Sequence, residues 1–333
     1  MEESAMSPKT ILVTGGAGYI GSHVCKALSR QGFTPVTYDN LSKGHDWAVQ
    51  WGPLVQGDIH DTDTLSRAFS EFKPAAVMHF AASIEVGESV QNPSFYYYNN
   101  VAGSLNLVRC MMAANCLRIV FSSTAATYGI PETELISEQH PQSPINPYGM
   151  SKLMVERIIT DCNASNGLRH VFLRYFNACG ADAENEIGEC HNPESHLIPI
   201  IMQAAGGQRE KLFIYGDDYD TPDGTCLRDY IHVEDLASAH VLALQALLDG
   251  AESDAFNLGT GTGYSVLEIL NAAEKVTGRP IPRDVVARRE GDPPILVASS
   301  EKARQRLKWR PEKSLEEILQ SAWDWHCRQN SIR

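Results

Sequence analysis

The 333-residue chain contains no apolar run approaching the ~20 residues a bilayer-crossing helix needs. Its opening, Met1-Glu2-Glu3-Ser4, is acidic and lacks both the positive and the apolar segment of a secretion signal, so no such signal is expected. Basic residues are in deficit: 28 Lys and Arg stand against 41 Asp and Glu, a formal net charge of −13. A polyanion or an anionic membrane is repelled on average by such a chain, which leaves room only for a local basic patch that meets phosphates. The eight cysteines (25, 110, 116, 162, 179, 190, 226 and 327) are scattered and form no C-x-x-C pair. At this size a disulfide scaffold is not expected, no metal-ligand set is read, and reduced buried thiols in a cytoplasmic setting are the preferred reading. Internal repeats and low-complexity segments are also missing.

What remains is ordinary globular composition, 43% hydrophobic and 21% charged, in a chain long enough for two domains or one large domain with an appendage. From Thr10 onward short β-branched runs alternate with helical stretches. Strands are expected at Ile11–Val13, Thr34–Tyr38, Leu54–Gln56, Ala75–Phe80, Arg118–Ser122 and Leu168–Arg174. Strands separated by helical stretches of 10–20 residues imply a parallel, doubly wound α/β sheet of Rossmann type. The rhythm breaks after Asn177. Candidate helices at Leu197–Ala205, Val233–Leu248, Ser265–Thr277 and Leu315–Trp325 mix there with short strands. The expected division is therefore a dinucleotide-binding domain over residues 9–177 and a smaller mixed α/β substrate domain over 178–330, with some later segments returning to the sheet.

Two motifs carry chemistry. Thr14-Gly15-Gly16-Ala17-Gly18-Tyr19-Ile20-Gly21 follows an apolar strand and opens an amphipathic helix. Glycines there permit a tight turn and close approach of backbone to a pyrophosphate, whose charge then faces the helix N-terminus. Asp39 ends the next strand, 18 residues beyond Gly21, where a carboxylate can accept hydrogen bonds from ribose hydroxyls. Its charge would repel a 2′-phosphate, which favours NAD over NADP. Asp58, in Gly57-Asp58-Ile59, has two equal readings: it meets the adenine amino group, or it caps the next turn.

Tyr148 and Lys152 stand four apart on one face of a helix beginning near Pro147. A tyrosine of ordinary pKa near 10 is a poor base at neutral pH. A neighbouring ammonium together with an oxidised nicotinamide ring is expected to favour the phenolate. Thr124 lies just past the strand end Phe121-Ser122-Ser123, where ligands bind in open parallel sheets. Its hydroxyl either bridges a substrate hydroxyl and Tyr148 or caps the following turn.

With these residues in order, the chain resembles the extended short-chain dehydrogenase/reductase family, and within it the UDP-glucose (UDP-galactose) 4-epimerases, from about Thr10 to Trp325. The matching stretches include TGGAGYIGSH, YDNLS, HFAA, NNVAGSLNL, FSSTAATYG, PYGMSK, LRYFNACGA, DGTCLRDYIHVEDLA, FNLGTGTGYSVLEI and RREGDPP. AASIEVGES and FSSTAATYG look closest to bacterial members that supply exopolysaccharide synthesis. The resemblance implies a tightly held NAD, a transient 4-keto sugar, and a hydride returned to the opposite face with no net redox change. It implies NAD contacts from Gly15, Gly18, Tyr19, Ile20, Asp39, Asn40, Asp58 and Ile59. Phe80, Ala81, Asn99, Ser122, Tyr148, Lys152 and Phe176 complete that set. UDP-sugar contacts are implied for Asn177, His196, Leu197, Tyr215, Arg228, Arg289 and Asp292, with Leu296 where some members carry a tyrosine walling the sugar pocket. The arginines suit a diphosphate. A homodimer through helices near Asn99–Ala113 and Ser151–Cys162 is likewise implied, with no nucleic-acid or membrane partner.

The chain departs from that pattern at Thr124 (serine in many members), Ile84 (a lysine in some), His196 (an asparagine) and Leu296. Rival readings are a UDP-xylose/UDP-arabinose 4-epimerase, a nucleotide-sugar dehydratase or decarboxylase, and a non-enzymatic NAD-binding regulator. The dehydratase and decarboxylase require a carboxylate after the threonine, where this chain has Ala125 and Ala126. The regulator would be expected to have lost the tyrosine–lysine pair, which is intact.

Overall fold

The computed structural model of the chain describes residues 9–289 and 293–332. Seven parallel strands form the main sheet, in the order Asp254–Leu258, Arg169–Tyr175, Arg118–Thr124, Ala76–His79, Thr10–Thr14, Thr34–Asp39, Leu54–Gln56. This is the Rossmann arrangement expected from the alternating pattern. Its strand order reverses between Thr10–Thr14 and Ala76–His79, which opens a crevice at their carboxyl ends. The strand interiors are apolar on both faces because helices cover both. Tyr19–Arg30 and Val233–Leu248 pack on one side through Val24, Leu28, Leu236 and Leu244. Thr62–Phe72, Gly103–Ala113 and Pro147–Asn166 pack on the other through Leu65, Leu107, Val155 and Ile159.

The four helices expected after Asn177 are present, at Leu197–Ala205, Val233–Leu248, Val266–Thr277 and Leu315–Asn330. Ser265 and Ser314 each close a capping box, with Glu268 and Glu317, which fixes where the last two begin. Gly263–Ser265, Leu227–His232, Ile295–Ala298 and Leu135–Ile136 form a second sheet, joined by Asn177–Cys179 beside Leu227–His232. A third, two-stranded sheet pairs Leu212–Tyr215 with Arg283–Val286. The chain crosses between these layers in both directions. Asp254–Leu258 returns to edge the main sheet, while Leu135–Ile136, from the first half, edges the second.

One buried ion pair anchors the helix Pro147–Asn166 to the main sheet. Glu156 accepts from Arg174 Nε at 2.9 Å and Nη2 at 2.6 Å, from Ser123 Oγ at 2.5 Å and from Gln142 Nε2 at 3.1 Å. Tyr128 accepts from Arg174 Nη1 at 3.0 Å, so the guanidinium is engaged on both sides. Removing one member of such a pair strands the other charge in a low dielectric. Glu156→Ala is therefore expected to lower unfolding free energy by about 3–5 kcal/mol. Replacing Glu156 and Arg174 together by leucine should cost clearly less. Urea unfolding of the two variants checks this, and equal losses would contradict it.

Candidate active site

The glycine loop joins the strand Thr10–Thr14 to the helix Tyr19–Arg30. Gly15 sits at φ +73°, and a Cβ there would come within 2.6 Å of the Ala81 backbone nitrogen. A Cβ at Gly21 would collide with the Gly15 carbonyl. The loop is thus a cradle of bare backbone. Gly18 occupies the helix N-cap and supplies no side-chain cap, so the first-turn N–H groups remain available to an anion. These features fit a dinucleotide pyrophosphate. Phe80 and Ala81 close the far side of the loop, both donating to the Thr14 carbonyl, at 2.8 and 3.1 Å.

Asp39 is nearly buried at the end of its strand. Its carboxylate accepts from Ala17 N at 3.0 Å and from Leu41 N at 2.8 Å, so the residue expected to face a ribose also ties the second strand to the glycine loop. Burial pushes its pKa up, against those two amides. Asp58 realises the turn-capping reading, accepting from His60 N at 2.9 Å. Its other oxygen accepts from Asn40 Nδ2 at 2.8 Å, which brings both polar side chains to one edge of the crevice. Ile59 is core, packed under Gly103.

Beyond the sheet's carboxyl end stand Thr124, Tyr148 and Lys152. Asn146 caps the helix through Gly149 N at 2.8 Å, and Pro147 takes its first turn, so the sequence sets the start of the helix. Gly149 lets the helix approach Ala126, whose carbonyl a Cβ would strike. Tyr148 stands by the Thr124 hydroxyl, which favours its phenolate. The Thr124 hydroxyl oxygen accepts from Ala126 N at 3.1 Å, which realises the capping reading. Lys152 is 2% exposed, with Nζ 2.8 Å from the Ser122 carbonyl and 5.0 Å from the centre of the Phe121 ring.

The protein's own groups do not depress the tyrosine as expected. Desolvation pushes Tyr148 up to about 12, with only the Thr124 hydroxyl opposing. Lys152 is pushed down to about 7 by burial, against the attraction of Glu156. Lys152 aims at a carbonyl rather than at the phenol, and burial outweighs attraction between the two. Tyr175, adjacent to the family-like motif, hydrogen-bonds the Ser122 hydroxyl and is held well above its ordinary pKa by burial.

Asn99, expected at the cofactor, donates to Ser83 Oγ at 3.2 Å. Its neighbour Asn100 is the more deeply embedded of the two and was missed from sequence. Its amide donates to Ser83 O and to Ser151 Oγ, both at 3.0 Å, and accepts from Ser83 N at 2.8 Å. Ser151 in turn donates to the Tyr148 carbonyl at 2.7 Å. The loop beside the crevice and the helix bearing Tyr148 are thereby joined. The segment Tyr97–Ala102 is π-helical, a local widening frequent at functional sites, but nothing in the residue pattern announces it.

Residues expected at a nucleotide-sugar lie across the crevice. Asn177 donates to the Asp229 carbonyl at 3.1 Å. Arg228 and Leu296 face each other in the second sheet, and Leu296 packs with Phe176 against Ala125 and Tyr128, immediately after Thr124. Tyr215 is exposed rather than core, and the Arg289 guanidinium stacks on its ring at 3.8 Å. Leu197 begins its helix behind His196 at the N-cap. The His196 imidazole is turned to Glu189 at 2.7 Å and Glu194 at 3.3 Å. Burial would lower its pKa, but these carboxylates raise it to about 10. Asp292 lies outside the described residues. Among the described residues no helix is long and apolar enough to cross a membrane.

Comparison with known proteins agrees with this geometry. Residues 11–259 match the NAD dependent epimerase/dehydratase family. The chain is 54% identical over 325 residues to the UDP-glucose 4-epimerase of Rhizobium meliloti (strain 1021), covering 98% of this chain and 99% of that one. A crystal structure of UDP-glucose 4-epimerase from Brucella ovis in complex with NAD superposes with a TM-score of 0.93 at 50% identity, covering 95% of this chain and 98% of that one. The UDP-Glc/GlcNAc 4-epimerase of Campylobacter jejuni superposes with a TM-score of 0.84 at 43% identity, covering 96% and 99%. The carboxyl-end crevice, its glycine cradle and the Thr124–Tyr148–Lys152 group are thus features of a chain that belongs to the NAD dependent epimerase/dehydratase family.

Proposed function

We propose that the protein is a UDP-glucose 4-epimerase that retains NAD and interconverts UDP-glucose and UDP-galactose. The observation that carries this reading is Tyr148, beside Thr124 and one helical turn from a buried lysine, at the open end of a parallel sheet with a bare-backbone anion cradle. When bound, NAD supplies a reversible hydride acceptor for C4 of the sugar. Tyr148 takes the O4 proton and later returns it, with Thr124 in hydrogen-bond reach to hold the sugar hydroxyl. Lys152 fixes the nicotinamide ribose. Gly15, Gly18, Tyr19 and Ile20 hold the pyrophosphate, while Asp39, Asn40, Asp58 and the backbone amide of Ile59 serve the adenosine half. Phe80, Ala81, Asn99, Ser122 and Phe176 line the remainder.

For the substrate, Arg228 and Arg289 neutralise the diphosphate and Tyr215 flanks the uracil. Asn177, Leu197, Asp292 and the backbone of His196 contact the remainder of the UDP-sugar. Residues 9–177 form the cofactor domain and 178–330 mainly the substrate domain, with Asp254–Leu258 assigned to the former. The exposed face of Met150, Leu153, Met154 and Ile158, beside Val101, supports a homodimer. Eight free cysteines and the acidic composition support a cytoplasmic setting that feeds galactose or exopolysaccharide metabolism.

The purified protein is expected to carry NAD and to equilibrate the two UDP-hexoses without added cofactor. Tyr148→Phe should lose ~10²–10⁴-fold in kcat with a much smaller change in KM. Stoichiometric release of NADH, or near-normal turnover by Tyr148→Phe, would contradict the assignment.

Leu296 supports a second activity. A leucine beside Phe176 and Ala125 leaves more room than a tyrosine, so weak turnover of N-acetylated UDP-hexoses is expected beside good activity on the plain hexoses. Leu296→Tyr should shift discrimination against the N-acetyl sugar by about 1–3 kcal/mol. The ratio of kcat/KM for UDP-N-acetylglucosamine to that for UDP-glucose decides it, and an unchanged ratio removes Leu296 from the pocket wall.

A further inference from the structure

We propose that Glu189, His191, Glu194 and His196 form a binding site for one divalent metal of the zinc class. No such site is expected from the scattered cysteines, and the reaction proposed above has no use for one. The four residues fall within an eight-residue segment, and one donor atom from each lies within 4.8 Å of all the others. The two glutamate side chains are 6% and 4% exposed, so their carboxylates face inward rather than into solvent.

The spacing of the donors supports a shared cation. Four ligands placed tetrahedrally at zinc bond lengths stand about 3.3 Å from one another. His191 Nδ1 lies 3.2 Å from Glu189 Oε1 and 3.7 Å from Glu194 Oε2, and His196 Nδ1 lies 3.3 Å from Glu194 Oε1, so one Glu194 oxygen would turn to the shared centre. The His196–Glu189 separation, 2.7 Å, is shorter and would open slightly around an ion. His191 Nδ1 is buried and has no hydrogen-bond partner although two carboxylates face it. A dication displaces one proton from each imidazole as it binds, leaving two carboxylates and two neutral imidazoles around it, and the imidazole pair selects zinc-class ions over magnesium or calcium.

A second acidic group differs in kind. Asp182, Glu184 and Glu186 converge on Lys26 Nζ at 2.7, 2.8 and 2.7 Å, so their charge is already met by an ammonium. The His–Glu group instead pairs its carboxylates with its own two imidazoles, whose protons a metal would replace. Its position is also distinctive: the edge of the His191 ring meets Tyr19 of the glycine loop at 6.3 Å, and His196 caps the helix Leu197–Ala205. A metal here would brace the segment between the two halves of the crevice.

The test uses the full chain, stripped with a chelator and titrated with Co²⁺ and then Zn²⁺ near neutral pH. One equivalent of Co²⁺ should bind, with the intense visible ligand-field bands of a tetrahedral site. Zn²⁺ should displace it and raise the Tm. His191→Asn and Glu189→Gln should each weaken Co²⁺ binding by roughly 100-fold or more, with circular dichroism confirming that both remain folded. Cys190→Ser should leave the bands unchanged. Binding far below one equivalent, bands unaffected by either ligand variant, or bands lost in Cys190→Ser would overturn the proposal.

Discussion

The position of one helix relative to two strands is the constraint on which the site depends. Pro147–Asn166 brings Tyr148 and Lys152 to the sheet only if it lies close against Arg118–Thr124 and Arg169–Tyr175. Four contacts of different kinds hold it there: bare backbone at Gly149 against Ala126, the Lys152–Ser122 hydrogen bond, Ser151 with Asn100, and the Glu156–Arg174 ion pair. They are spread over two helical turns and bind the helix to three separate segments. A shift of about an ångström in this helix would part Tyr148 from Thr124, and misplacement of that size typically costs about 10²-fold in rate.

The same close packing sets the electrostatics. Burial disfavours both charged forms, raising the phenol and lowering the ammonium. In the protein alone the proton therefore rests on Tyr148, and nothing already present forces it off. An added positive charge in this poorly solvated region acts on the phenol more strongly than it would in water. The geometry thus links the tyrosine's readiness as a base to the redox state of the cofactor proposed beside it.

Local signals made much of this legible in the sequence. Leu197–Ala205 and Val233–Leu248 are bounded by glycine, histidine and acidic residues that mark helix ends, and both match the structure residue for residue. The glycine loop and Asp39 declare themselves because their spacing is fixed by one strand–turn–helix unit. What the sequence hides is long-range. Leu135–Ile136 pairs with Ile295–Ala298 across about half of the chain, and Ser122 meets Tyr175 across two strands. Asn100 reads no differently from Asn99, and only the widened turn decides which one is buried. The exposed side of Tyr215 became evident once Arg289 lay over it.

The central claim is that hydride leaves and returns at the same carbon without escaping this crevice. UDP-glucose deuterated at C4 tests it directly, with product UDP-galactose analysed by NMR and mass spectrometry in ordinary water. The account predicts that deuterium is retained in full at C4, with no label in free nicotinamide and no solvent hydrogen at that carbon. Loss of the label to water, or its transfer to added NAD, would contradict it.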